Sequence, residues 1–296
     1  MTETHTLVTR ELTPVVGAEV LDVDVDRLRN DEDLPRAVAA ALEKFHVLLF
    51  RELHIDDETQ VAFCKKWGPV QSQADFSRRL TPGQSVPEDL HPEIFEVSWN
   101  PDNPYGDQLR GNVFWHLDGI LNSDRPTKAA MMSAKVVTPA GQGGETEFAS
   151  SYGAYDLLSD EEKERYADLR AVYSFEATQR RVFPDPTDEQ VAEWRNREIS
   201  TREHPLVWTH ADGRRSLVLG GHQDHVVGMD VEEGRALLDD LLVRATSPDR
   251  VYSHTWSVGD TVIWNNYGVY HRARPFDPST RRRMHRTTIL GNEPIR

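Results

Sequence analysis

The chain has 296 residues, of which 38% are hydrophobic and 28% charged, and a net charge of −15. That length can bury a large core, and the balance is that of a globular protein, not a disordered one. The acidity argues against nucleic acid as a partner, because phosphate binding needs a basic face. No apolar run reaches the length of a membrane span, and Met1 to Gly17 carries no apolar signal-peptide core. The lone cysteine, Cys64, rules out an intrachain disulfide and points to a reducing cytoplasm. Its helix-like surroundings make it a packed thiol, not a nucleophile.

Ala18 to Val23 alternates like a strand. Asp33 to Phe45 is amphipathic at helical spacing, and His46 to Phe50 is an apolar run of buried-strand length. Asp56 or Asp57 opens a helix that Gly68-Pro69 stops. Residues 70–111 hold five prolines and little periodicity. Such a stretch is either a lid over a site or a surface insertion, with one strand expected at Ile94–Ser98. Lys128 to Val137 reads as a strand and leads into Gly141-Gln142-Gly143-Gly144-Glu145-Thr146. This turn lacks the lysine of a phosphate loop and sets Thr146 at the start of a strand. Ser159-Asp160-Glu161-Glu162 is a capping box. A charged helical insertion is expected at about 184–200. His204 to Gly220 reads as a hairpin turning at Asp212-Gly213. Val231 to Thr246 is an amphipathic helix. Strands then follow at Val251–Trp256, Asp260–Trp264, Val269–Arg274 and Met284–Leu290. Mostly strands, short turns and flanking helices predict one domain over 1–296, a sandwich or barrel such as a jelly roll.

His-x-Asp occurs at His54/Asp56, His116/Asp118, His210/Asp212 and His222/Asp224. The first and third are better read as a helix start and a turn. His222-Gln223-Asp224-His225, in an irregular stretch after Gly220-Gly221, is the rival metal cluster. Phe114 to Gly119 stands apart. As a strand it would aim His116 and Asp118 at one point, two-thirds of the 2-His-1-carboxylate arrangement that suits non-haem iron. His271, in the late strands, is a third ligand candidate. From His271 to Arg286 run six arginines against one acid, either a solvated tail or an anion site. On a strand, Arg282 and Arg286 would share a face, and arginine matches a carboxylate or sulfonate bidentately.

His116-x-Asp118, Gly143-Gly144-Glu145-Thr146, His204-Pro205-Leu206-Val207, Gly213-Arg214-Arg215, Trp264-Asn265-Asn266, His271 and Arg282 to Gly291 occur in this order. Together they resemble the iron(II)/2-oxoglutarate-dependent taurine dioxygenase and 2,4-dichlorophenoxyacetate dioxygenase family, from about Val15 to the C-terminus. The resemblance implies a double-stranded β-helix, a cupin-like jelly roll. It implies His116, Asp118 and His271 as iron ligands, and Thr146 and Arg282 as the grip on the distal carboxylate of 2-oxoglutarate. Arg286 matches the residue that holds the substrate's acidic group, and Asn112 a substrate-contacting asparagine. The reaction implied is hydroxylation of a small anionic organic substrate with Fe(II), 2-oxoglutarate and O2, giving succinate and CO2, in a homo-oligomer. Asp118 argues against halogenation, where that carboxylate is vacated. Leu117 replaces the usual Thr or Ser and would point away from the metal, while Gly119 would widen the pocket. Desaturation or cyclisation on the same site, or a non-enzymatic metal- or anion-binding jelly roll, are the alternatives.

Overall fold

Two sheets face each other and enclose the core that carries the site. The computed structural model describes residues 6–77, 90–99, 103, 109–121, 123–197 and 200–296. In the larger sheet the strands run in spatial order Thr9–Glu11 (β1), Ala18–Val20 (β2), Val47–Phe50 (β3), Thr261–Asn265 (β13), Ala129–Val136 (β5), Arg283–Ile289 (β15) and Phe95–Ser98 (β4). Opposite lies a sheet of Val251–His254 (β12), Thr146–Ser150 (β6) and Val269–Ala273 (β14). A third sheet holds Gln223–Val226 (β11), Arg170–Ser174 (β7) and Thr201–Pro205 (β8), and Val207–Thr209 (β9) pairs with Arg215–Leu217 (β10).

The buried runs explain the layering. In β3, Val47 and Leu49 point into the core between the sheets, while Leu48 and Phe50 point to the helices outside. In β13, Val262 and Trp264 face inward and Ile263 outward. A strand covered on both faces reads as a continuous apolar run, which is why these segments show no polar alternation. Phe148 and Val269 close the inner core from the opposite sheet. Leu34–Phe45 and Asp57–Lys65 supply the helical cover on the outer face, with Cys64 buried against Met131. Among the described residues no helix is long and apolar enough to cross a membrane.

Several local expectations hold. Asp56 caps its helix through Thr59 N–H, Ser159 and Glu162 form a reciprocal capping box, and Gly213 turns the β9–β10 hairpin at φ 86°. In the expected insertion, Thr187 caps the helix Asp188–Arg195. Within 70–111 the structure has a helix at Gln73–Ser77 and β4. Much of that expected lid lies outside the described residues.

Three expectations need correction. Phe114 to Gly119 is not a strand. Only His116 pairs, in an isolated antiparallel bridge with His271, and the chain turns at once through Asp118 and Gly119. Gly119 serves that turn at φ 86°, and a Cβ there would meet Thr127 N at 3.1 Å, so its smallness does not widen a pocket. The rival histidine stretch is not wholly irregular, since Gln223 onward forms β11. Finally, β15 begins at Arg283, with a register shift between Arg283 and Met284. Simple alternation therefore does not relate Arg282 to Arg286.

Candidate active site

Two backbone hydrogen bonds hold the first two side chains of the site together. His116 N–H donates to His271 O and His271 N–H to His116 O, each at 3.0 Å. A directly opposed antiparallel pair brings its side chains close, and the two imidazole centroids are 4.2 Å apart. The turn after Leu117 swings Asp118 into the same space. His116 Nε2 lies 3.8 Å from Asp118 Oδ1, and His271 Nε2 lies 3.6 Å from Asp118 Oδ2. One ligand atom from each of the three falls within 4.8 Å of the others. Among the described residues this is the one such cluster. Leu117 points away into the core, as expected.

The electrostatics suit a cation. Burial lowers the pKa of His116, against the opposing pull of Asp118. Burial, then His116, drives His271 to about 3. Both rings are therefore neutral, the form in which imidazole ligates metal. His116 Nδ1 sits 2.8 Å from the Phe114 carbonyl. A carbonyl only accepts, so Nδ1 carries the proton and Nε2 keeps its lone pair for the site. His271 Nδ1 makes no comparable bond among the described residues; the Val269 carbonyl is the group that favours a proton there.

Beside the triad, β6 and its preceding turn build an anion cradle. Thr146 stands two residues before Phe148, the partner of His271, so it faces the same interior. Trp256 Nε1 donates to Thr146 Oγ1 at 2.9 Å. An indole N–H only donates, so the threonine oxygen accepts and its own proton is directed elsewhere. Gly143 and Gly144 make room. A Cβ on Gly143 would sit 1.9 Å from Pro275 O, and one on Gly144 3.1 Å from Arg282 Cδ. The glycine-rich turn thus admits the arginine stem, and Gly144 O accepts from Arg282 Nε at 3.1 Å. Arg282 is 2% exposed, and burial lowers its pKa to about 10 with Glu145 opposing. It remains a cation at neutral pH, packed over Phe276 with no carboxylate hydrogen-bonded to it among the described residues.

Arg286 reaches the triad itself. Its Nη1 donates to Asp118 Oδ2 at 3.3 Å, while its Nε is buried with no hydrogen-bond partner among the described residues. Asn112 lies in the short 3-10 turn Arg110–Val113, partly exposed, against β14 and the helix Phe175–Val182. The rival pairs are absorbed elsewhere: Asp56 caps a helix, Asp212 binds Arg214 and Asp224 binds Arg235.

His222 is the residue that sequence reasoning misplaced. Among the described residues it joins no metal cluster, yet it feels the charges of His116 and Asp118, and burial followed by His116 lowers its pKa to about 3. Gly220 and Gly221 bring it there. A Cβ on Gly220 would lie 2.9 Å from His116 Cα, and Gly221 N–H donates to Trp115 O at 2.6 Å. Thr178 Oγ1 gives its one proton to Gly221 O at 3.0 Å and lies 2.5 Å from His222 Nδ1. The hydroxyl must therefore accept from Nδ1–H, leaving Nε2 as an acceptor. The adjacent glycines were the available signal, since such pairs mark close backbone approach.

Residues 9–288 match the family described as taurine catabolism dioxygenase TauD, TfdA family. The chain belongs to this family. This TauD/TfdA-family protein is 32% identical to the alpha-ketoglutarate-dependent 2,4-dichlorophenoxyacetate dioxygenase of Cupriavidus pinatubonensis, over 98% of this chain and 99% of that protein. It is 30% identical to the (S)-phenoxypropionate/alpha-ketoglutarate-dioxygenase of Sphingobium herbicidovorans, over 94% and 91%. Among solved structures it is similar to AAD-2 in complex with Mn(II) and N-oxalylglycine, with a TM-score of 0.77 and 31% identity over 98% of this chain and all of that one.

Proposed function

We propose that this family member is an iron(II)- and 2-oxoglutarate-dependent dioxygenase that hydroxylates a small anionic organic substrate, built on a double-stranded β-helix. The observation that carries this reading is the convergence of two neutral imidazoles and one carboxylate, with a buried arginine that no carboxylate hydrogen-bonds among the described residues. His116, Asp118 and His271 would hold the metal. Three ligands on one side leave positions open for other groups. When bound, iron would let O2 act as the oxidant, one oxygen atom going to 2-oxoglutarate, which leaves as succinate and CO2, and the other to the substrate as a hydroxyl.

The chain's own residues bind, orient and desolvate. Arg282 meets the far carboxylate of 2-oxoglutarate, and Thr146 donates to it because Trp256 occupies its acceptor side. Arg286 takes the substrate's anion through the edge that Asp118 does not use. His222 lines the site as an acceptor, and Asn112 borders it. The relatives named above for aryloxy acids support a carboxylate as the first substrate class to try.

The test is a screen for succinate formed from 2-oxoglutarate over aryloxy and alkyl carboxylates, sulfonates and sulfate esters. At least one anion should stimulate succinate formation in an Fe(II)-dependent manner. A site that binds metal and anions yet never consumes oxygen would instead favour a non-enzymatic binding protein. Trp256→Phe removes one neutral hydrogen bond, of about 0.5–1.5 kcal/mol. It should raise the KM for 2-oxoglutarate severalfold with kcat nearly unchanged. An unchanged KM would remove Trp256 from the co-substrate site.

A further inference from the structure

The edge strand β4 brings an unassigned side chain to the anion site. Phe95 is the direct cross-strand partner of Arg286, and the Arg286 Cζ lies 5.2 Å from the centre of the Phe95 ring. Directly opposed residues on one face are in contact range. Phe95 is 7% exposed and packs with Leu109, Val97 and Trp99. Alternation puts Phe95, Val97 and Trp99 on one side and Glu96 and Ser98 on the other. The row continues to the co-substrate arginine, since Trp99 stacks on Phe276 at 4.2 Å and Arg282 lies over Phe276.

This row constrains what Arg286 can hold. Nη1 is engaged by Asp118, and the buried Nε, unpartnered among the described residues, marks the side-on edge, Nε with Nη2, as the one that remains. Phe95 lies against the guanidinium, with Cζ over its ring, so the approach left to an anion is the open edge, in the guanidinium's own plane. A carboxylate puts both oxygens in that plane and none above it. A sulfonate or sulfate carries a third oxygen out of the plane, where the ring presents its negative face.

We propose that Phe95 is a specificity-determining residue. By packing against Arg286 it selects a planar carboxylate over a sulfonate or a sulfate ester. This rests on the reading of Arg286 given above and deepens it.

The test compares phenylacetate with phenylmethanesulfonate, which share one apolar body. Each is titrated calorimetrically into wild type, Phe95→Leu and Phe95→Tyr, with and without Mn(II) and N-oxalylglycine. Wild type should favour the carboxylate. Phe95→Leu should cut that preference about tenfold, within the range of a partly desolvated cation–π contact, and Phe95→Tyr should restore it. In turnover, the loss should fall on the KM for the carboxylate with kcat within about twofold of wild type, a split that general destabilisation would not produce. A wild type without carboxylate preference, or an equal preference in Phe95→Leu, overturns the proposal. If Mn(II) and N-oxalylglycine fail to bind at all, the dioxygenase reading falls instead, while the ratio measured on the unloaded protein still decides the role of Phe95.

Discussion

Asp118→Ala is expected to abolish substrate-stimulated succinate formation. The two imidazoles are set 4.2 Å apart by the His116–His271 backbone pair and would persist in the variant. What disappears is the anionic third of the site and the partner of Arg286 Nη1. Loss of groups that merely support a metal ligand costs roughly 10–100-fold, so loss of the ligand itself should exceed about 100-fold in kcat/KM. Metal titration followed by a spectroscopic probe such as Mn(II) resonance should show weakened binding in parallel, with circular dichroism unchanged. Succinate formation at the wild-type rate would remove Asp118 from the metal site, and with it the argument for the triad.

Arg282→Met should separate stability from binding. Arg282 is a buried cation whose pKa falls from 12.5 to about 10 because burial penalises its charge. A shift of that size corresponds to a cost on the order of 3 kcal/mol in the protein without ligand. The sign is fixed: the cost is fully present below pH about 10, where both folded and unfolded chains carry the charge, and is relieved as pH rises from there toward 12.5. Methionine keeps the stem's volume and removes the charge. The unliganded variant should therefore melt no lower than wild type at pH 7, and higher if the stem repacks well over Phe276. Adding 2-oxoglutarate should raise the melting temperature of wild type and leave the variant unmoved. Two charge-assisted hydrogen bonds of about 1.5–3 kcal/mol each are at stake, so the KM for 2-oxoglutarate should rise about 100-fold or more. A variant that is markedly destabilised yet binds 2-oxoglutarate normally would make Arg282 a structural residue.

Much of this was legible because local chemistry and global fold agree. Asp56, Ser159 and Thr187 cap helices where their side chains can reach the free N–H groups, a relation contained within four residues. The apolar runs of β3 and β13 are buried on both faces and read as strands without alternation. The pairing of His116 with His271 spans 155 positions, and no local pattern contains it; the order of motifs was the guide there. Where sequence reasoning failed, a turn or bulge had broken the periodicity it relied on. Asp118 reaches the site through a turn, not through a strand's alternation. Arg282 precedes its strand and is seated by Gly144, so strand alternation does not account for the two-arginine pairing. Trp256 and Phe95 carried no polar signature that could mark them, since the roles proposed for them rest only on what lies opposite them.

The glycines at 220 and 221 have a consequence for how variants would behave. With Gly220 at φ 137° and no space for a Cβ against Trp115 and His116, any substitution there must push one of two segments aside. The segment on one side ends in a candidate ligand, and the segment on the other in His222. A Gly220→Ala protein would present as a metal-loading defect with altered substrate range, although the residue touches neither metal nor substrate. Screens that score only contacting residues would overlook it, and a loop graft that keeps His222 but alters the two preceding positions would inherit the same fault.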